Sequence, residues 1–307
     1  MLKGVVASVL ASVLFGVIYW ISPFLKPLGG EEIFGWRVLA TLPFTTVLLL
    51  WRGEWTQVRE LAQRVRQRPA LGAALVLSAA MVGVQLWLFM WAPMAGRALP
   101  VSLGYFLLPL VMVLAGAVLY RERLSGPHKL ATALAAAGVG AELLRAGGVS
   151  WETWLVAVGY PLYFALRRRL RTEKLGGHWV DMALAVPVAL YFVLRAPSTL
   201  PVVVGDLPLA ALVLVVGVLS AVALALYMAA SQLLPMGLFG LLTYVEPVLL
   251  VVVALLLGER LAPGQWPMYG LVFAAVGVLV VDALRQILRA PPAIKNMKKT
   301  DTTADAD

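Results

Sequence analysis

Along the chain, apolar residues run in blocks of about twenty, each closed by a charged or Pro/Gly-rich break. A helix of that length matches the hydrocarbon thickness of a bilayer. Ten spans are predicted, over 3–22, 33–51, 70–91, 99–120, 128–145, 151–168, 179–194, 208–230, 238–257 and 266–284. The first block resembles a secretory signal in its lysine and apolar centre, but it runs on to Ile21 and further spans follow. It is read as an uncleaved span. One break has a pattern of its own. In EWTQVRELAQRVRQR, residues 54–68, Trp55, Val58, Leu61, Ala62 and Val65 fall at helical spacing with arginines on the other face. An amphipathic helix lying along the headgroups is expected there. Residues 288–307 are polar and mixed in charge, so a disordered cytoplasmic tail is expected.

Composition agrees with this pattern. The chain is 61% hydrophobic and 13% charged, against about 25% charged in soluble domains. The fold class is therefore an all-α polytopic membrane protein, with the lipid bilayer as its surroundings. There is no cysteine, which excludes disulfides and Cys-ligated metal centres. The two histidines, His128 and His178, stand beside charged or Gly-rich breaks and are read as solvated loop residues. No metal, cofactor or catalytic residue is expected. No phosphate-binding glycine loop, G-x-S-x-G or H-E-x-x-H occurs.

The net charge is +9, and its distribution carries the information. With ten spans, most of the 25 Lys and Arg residues fall on one face. They include Lys3, the arginines of 52–68, Arg121, Arg123, Lys129, Arg167 to Lys174 and the basic residues after Arg285. Lys26, Arg37, Arg97, Arg145, Arg195 and Arg260 take the other face. The positive-inside rule then puts both termini in the cytoplasm and the protein in the inner membrane. This charge is a topology signal, and no nucleic-acid partner is expected. Trp20, Trp36, Trp51, Trp91, Trp151, Trp154, Trp179 and Trp266 fall at predicted span ends, where amphipathic rings prefer to sit.

Two segments repeat. YFLLPLVMVLAGAVLYRERL (105–124) and YVEPVLLVVVALLLGERL (244–261) each carry an aromatic, a proline, an apolar run and Glu-Arg-Leu. The chain thus divides into halves, 1–145 and 146–287, of five spans each. An odd span number inverts the second copy, and inverted repeats are characteristic of alternating-access transporters. Pro109 and Pro247 interrupt equivalent spans, and each is expected to free the carbonyl four residues back, on Tyr105 and Thr243. Such carbonyls are tolerated facing protein or a wet cavity.

The candidate substrate site is Arg37, Gln85, Trp87, Phe89, Trp91, Tyr105, Pro109, Tyr163, Tyr244, Glu246 and Pro247. Phe106 and Tyr227 are further aromatics within the spans. Glu246 lies about 12 Å into its span at the helical rise. It reads either as a proton-coupling or substrate-contacting acid, or as a neutral carboxyl satisfying freed carbonyls. Arg37 reads either as snorkelling to the headgroups or as a cavity cation for Glu31, Glu32 or an anionic substrate group. A direct Arg37–Glu246 pair is not expected, because the two lie at different depths.

EIFGWR (32–37), LFMWAPM (88–94), SLGYFLLPL (102–110), GYPLYFALRR (159–168), TYVEPVLL (243–250) and VVDAL (280–284) resemble RarD-type proteins of the EamA branch of the drug/metabolite transporter superfamily. The likeness runs from residue 1 to about 287. It implies ten helices in two inverted five-helix repeats around a central cavity, and secondary transport of small metabolites or drugs across the inner membrane. Glu32, Arg37, Trp91, Tyr105, Pro109, Tyr163, Tyr244, Pro247 and Asp282 match the family pattern by position. The chain departs from it in the apolar Leu108, Pro93 and Met94, in Pro100 and Val101, and in carrying Glu246. The expected function is a secondary permease or exporter of small organic solutes, a monomer or weak homodimer, with the proton gradient as a candidate drive. The alternatives are a non-transporting membrane scaffold or sensor, and an intramembrane enzyme, for which no nucleophile or metal cluster is present in the sequence.

Overall fold

A computed structural model of the chain describes residues 2–95, 97–146, 149–195, 199–256 and 263–289. Among the described residues there are thirteen α-helices, two short 3-10 turns and no strand. They are α1 (Leu2–Ile21), α2 (Gly30–Trp51), α3 (Thr56–Gln67), α4 (Pro69–Met94), α5 (Ala98–Tyr120), α6 (Gly126–Ala146) and α7 (Trp151–Leu170). The second part holds α8 (Leu175–Arg195), α9 (Thr199–Gly205), α10 (Leu207–Leu233), α11 (Met236–Leu242), α12 (Val245–Leu256) and α13 (Trp266–Arg289). Six helices, α1, α2, α4, α5, α8 and α10, are long and apolar enough to cross a membrane. The other predicted spans fall on α6, on α7, on the pair α11–α12 and on α13. Of these, α7 carries Glu152 and three terminal arginines, while α11–α12 and α13 are shorter apolar stretches. Glu259, Arg260 and Leu261, which carry the repeated Glu-Arg-Leu, lie outside the described residues, as does the tail 290–307.

The helices pack in a recurring set of pairs. α10 lies along α1 and α2, and α4 lies against α7 and α8. α5 contacts α7 and α11, while α1 also contacts α12. α2 packs on α8, and α6 on α13. One large apolar core joins most of these helices, and a second, smaller one joins α5, α6, α11 and α13. Between lipid-embedded helices burial gives little drive, so close backbone approach matters more. Gly217 on α10 provides it: a Cβ there would stand 2.6 Å from the Ala40 Cβ and 2.9 Å from the Ala40 carbonyl carbon on α2.

Several connections meet at one end of the bundle. Arg64 on α3 donates to Leu170 O (2.7 Å) and Arg171 O (3.2 Å), the last carbonyls of α7. Gln57 Oε1 accepts from Gly176 N (2.9 Å), and Trp55 meets Trp179 edge-on at 5.0 Å. The amphipathic helix expected there forms as α3, and these contacts dock it on the α7–α8 corner. Its apolar Leu61 is buried. At the same end Glu122, just past α5, accepts from Met236 N (2.8 Å) and Gly237 N (2.7 Å), with Arg168 at 3.6 Å. The basic breaks 52–68, 121–123 and 167–174 thus share one end. Of the tryptophans, Trp20, Trp51, Trp151, Trp154 and Trp266 are exposed at helix ends.

Pro247 behaves differently from the expectation. The ninth span is not one helix interrupted by proline. It breaks at Thr243–Tyr244, and Pro247 sits in the first turn of α12, where a missing N–H costs no helical bond. The Thr243 carbonyl is not freed either, because it accepts from Glu246 N at 3.2 Å. Thr243 also closes α11 by donating its Oγ1 to Gly240 O (2.6 Å). Pro109 does lie inside α5 as expected, beside α11.

If Gly217 sets the α2–α10 distance, Gly217→Ala should lower the thermal midpoint in detergent, with an overpacking cost of about 1–3 kcal/mol. Gly277→Ala on α13, where nothing lies within 4 Å of the added Cβ, should be neutral or stabilising.

Candidate functional site

Where α1, α2, α4, α5, α7, α8, α10 and α12 converge, they leave a cavity of about 40 Å³. It is narrow, with room for roughly three or four waters before side chains must move. Its walls come from helical faces at i, i+3, i+4 and i+7 spacing. Val82, Leu86 and Phe89 come from α4, Tyr160, Tyr163 and Phe164 from α7, and Leu224, Tyr227 and Met228 from α10.

Its polar groups are few. Arg37 on α2 is 4% exposed. Its Nε donates to Ser220 Oγ on α10 at 3.0 Å, and its guanidinium carbon lies 5.9 Å from the centre of the Phe89 ring. Arg37 is therefore a cavity cation and does not snorkel. Glu246, in the first turn of α12, faces the same space. The two interact electrostatically, and no ion pair joins them. The sequence reading likewise expected no direct pair between them. The rings of Tyr105 and Tyr160 lie beside each other, 6.3 Å between centres. Tyr227 is packed by Phe15 (5.8 Å), Phe164 (5.6 Å) and Phe239 (4.8 Å) between ring centres.

His178, read from sequence as a solvated loop residue, is in α8, wholly buried and against this cavity. Neither ring nitrogen has a hydrogen-bond partner. Three residues on, Asp181 belongs to a buried brace. Arg167 pairs with Asp181, its Nη1 donates to Tyr163 OH (3.0 Å), and Tyr163 OH donates to Asp181 Oδ2 (2.9 Å). The Nη2 of Arg167 donates to Thr172 O and to Lys174 O (3.0 Å). Arg167, counted from sequence with the basic loop residues, is thus an internal tie between α7, α8 and their connection. At the opposite end of α7, buried Glu152 pairs with Arg97 at the start of α5.

Of the sequence candidates, Arg37, Phe89, Tyr105, Tyr163 and Glu246 line the cavity. The hydroxyl of Tyr163 is committed to the brace. Gln85 lies outside the cavity. Its Nε2 donates to Leu155 O (2.7 Å) across the α4–α7 seam, facing an apolar groove on the far side. Trp87 and Trp91 stack on each other at 5.0 Å, with Trp91 6.5 Å from Trp151, away from the cavity. Pro109 and Pro247 do not line it. Tyr244 is buried behind it and donates its OH to Phe106 O (3.0 Å), one residue from the carbonyl expected to be free. Sequence reasoning missed Phe15, Tyr160, Phe164 and His178. The spacing of Tyr160, Tyr163, Phe164 and Arg167 was the available signal, since it sets them on one helical face. Among the described residues no group of three His, Asp or Glu could hold a metal.

No family model matches the chain. An uncharacterized transporter of Pasteurella multocida is 40% identical over 289 residues, covering 94% of this chain and 99% of that protein. The chloramphenicol-sensitive protein RarD of Pseudomonas aeruginosa is 40% identical over 284 residues, covering 92% and 95%. This chain belongs to the RarD-type transporter family. A more distant RarD protein, from Streptomyces exfoliatus, is 28% identical over 276 residues, covering 89% of this chain and 86% of its own. A solved crystal structure with 18% identity superposes with a TM-score of 0.64 over 92% of this chain and 98% of its own. That likeness concerns the fold alone. This RarD-type chain is a multi-pass membrane protein, and its relatives carry transporter names.

If the brace holds α7 to α8, Arg167→Ala should cost about 3–5 kcal/mol, because it strands a buried carboxylate. Removing both partners, Arg167→Ala with Asp181→Ala, should cost less than the sum of the single losses. Thermal or chemical unfolding of the purified variants in detergent checks both.

Proposed function

We propose that the chain is a secondary transporter of small organic solutes, working by alternating access across the inner membrane with both termini cytoplasmic. The observation that carries this reading is the convergence of Arg37 and Glu246 on one aromatic-walled space inside a bundle of apolar helices. A buried cation and a buried carboxyl that form no ion pair are costly in a bilayer, and a cavity that loads and unloads a polar solute gives both a use. The cavity is too narrow to be an open channel, so passage requires helices to move.

The moving parts in this reading are two inverted halves, residues 1–145 and 146–287, each of five spans, with α11–α12 as one span. Exchanging each span with the one five later turns the α1–α10 contact into α7–α4. It likewise turns α2–α10 into α8–α4 and α5–α7 into α12–α1. The contacts α2–α8, α5–α11 and α6–α13 map onto themselves. Such an exchange pattern is what a two-fold axis in the membrane plane produces, and it supports rocking of one half on the other. The gathering of basic breaks at one end supports the cytoplasmic assignment of that end. Glu246 serves as the proton-coupling group. A purely structural scaffold would have no need of an internal cavity polarised by both charges.

The test is solute movement in inside-out vesicles from cells expressing the protein, using amino acids, nucleobases and amphenicol drugs, with and without an imposed pH gradient. Gradient-dependent movement of at least one solute class is expected. Glu246→Gln should abolish its dependence on the gradient. Movement unaffected by that change removes the coupling role, and no movement of any class returns the scaffold or sensor reading.

A further inference from the structure

Buried charge follows a rule in this protein. Among the described residues, buried Arg167 is paired with Asp181, buried Glu152 with Arg97, and buried Glu142 with Arg145. Two buried charged side chains stand outside the rule, Arg37 and Glu246, and both face the central cavity. They are not equivalent. A carboxyl can shed its charge by taking up a proton. A guanidinium stays charged, so its need for a counter-ion is permanent.

The mounting of Arg37 limits which of its edges is open to such a counter-ion. Ser220 holds Nε from α10, and Phe89 flanks the guanidinium. No hydrogen bond or ion pair among the described residues engages the two Nη nitrogens. The planar fork that best matches a carboxylate is therefore oriented, buried and vacant of partners. Around it lie apolar and aromatic walls, the neighbouring rings of Tyr105 and Tyr160, and on the α8 side His178 with both ring nitrogens unpartnered.

We propose that the solute is an organic monocarboxylate whose carboxylate seats on the free Nη edge of Arg37, with its apolar body among Phe89, Tyr105 and Tyr227. This rests on the transporter reading for its physiological meaning, but it is a claim about binding and is tested without transport. Glu246, across the cavity, disfavours a second negative charge, and its ability to carry a proton keeps the loaded site close to neutral. A dicarboxylate or a lone amine fits this arrangement less well.

The probe is a single scaffold in four charge states, titrated into the full-length protein in nanodiscs by isothermal calorimetry. The four are 3-phenylpropionate, 3-phenylpropionamide, phenylalanine and phenethylamine. The anion should bind more tightly than its neutral amide by about tenfold or more, the range set by a buried charge-assisted hydrogen-bond pair. It should also bind more tightly than the zwitterion and the amine. Arg37→Gln should abolish the anion's advantage over the amide, and Arg37→Lys should keep part of it. Should Arg37→Gln not fold, the comparison of acid and amide on the unaltered protein decides by itself. Equal binding of acid and amide, including none by either, overturns the proposal. So does tighter binding of the amine or the zwitterion. A vesicle assay without transport, alongside a clear preference for the anion, would sink the transporter reading and leave this one standing.

Discussion

A polar or charged group taken out of water must find its partner inside the protein, and in a bundle surrounded by hydrocarbon there is no second chance at the surface. That constraint explains why the described chain is helical throughout. It also explains the two ties on α7. Arg167, Asp181 and Tyr163 satisfy one another and collect the loose carbonyls of the α7–α8 connection, so that one guanidinium both neutralises an acid and caps a chain reversal. At the other end Glu152 does the same work with Arg97, joining α7 to the start of α5. Between the two ties the helix presents Tyr160, Tyr163 and Phe164 to the cavity. The brace thus fixes the rotation of α7, and with it one wall of the candidate site.

The same constraint governs the break between α11 and α12. An interruption in a spanning segment exposes backbone groups that lipid cannot satisfy. Here the turn satisfies itself through Thr243, and Tyr244 is wholly buried with its hydroxyl on a carbonyl of α5. The start of α11 is held from far away in sequence, by the Glu122 carboxylate on two backbone N–H groups. A carboxylate at a helix N-terminus complements both the unpaired donors and the dipole. The break places Glu246 in a first turn that faces the same cavity as Arg37. A continuous helix would have carried it at a different height and rotation.

The functional proposals follow from the exceptions to that constraint. Among the described residues the other buried charges are paired and two are left without an ion pair against one space, which is why the proposals look there for a partner. The aromatic walls and the narrow free volume favour a small, partly apolar solute over an ion or a water file. The family relationship supports transport in general terms and is silent on chemistry, which the cavity's own charges supply.

Much of the fold was legible from composition and spacing. Long apolar blocks, their breaks and the segregation of Lys and Arg depend on how local stretches partition between water and hydrocarbon, and that is written in the residues themselves. Pro109 inside α5 and the membership in a transporter family were equally readable. The site was legible only in part. Arg37, Phe89, Tyr105, Tyr163 and Glu246 reached the cavity, while Gln85, Trp87 and Trp91 turned to the α4–α7 seam and the helix end. His178 and Arg167 went from apparent surface to deep interior. A soluble helix advertises its inner face by amphipathic period, but a helix apolar all round gives no such signal. Its rotation is set by contacts far apart in sequence, such as Arg37 with Ser220, Tyr244 with Phe106 and Gln85 with Leu155. Sequence alone therefore marked out the long apolar segments of a multi-pass membrane protein. The tertiary structure decided which side chains meet there, because only packing fixes the rotation and height of each helix.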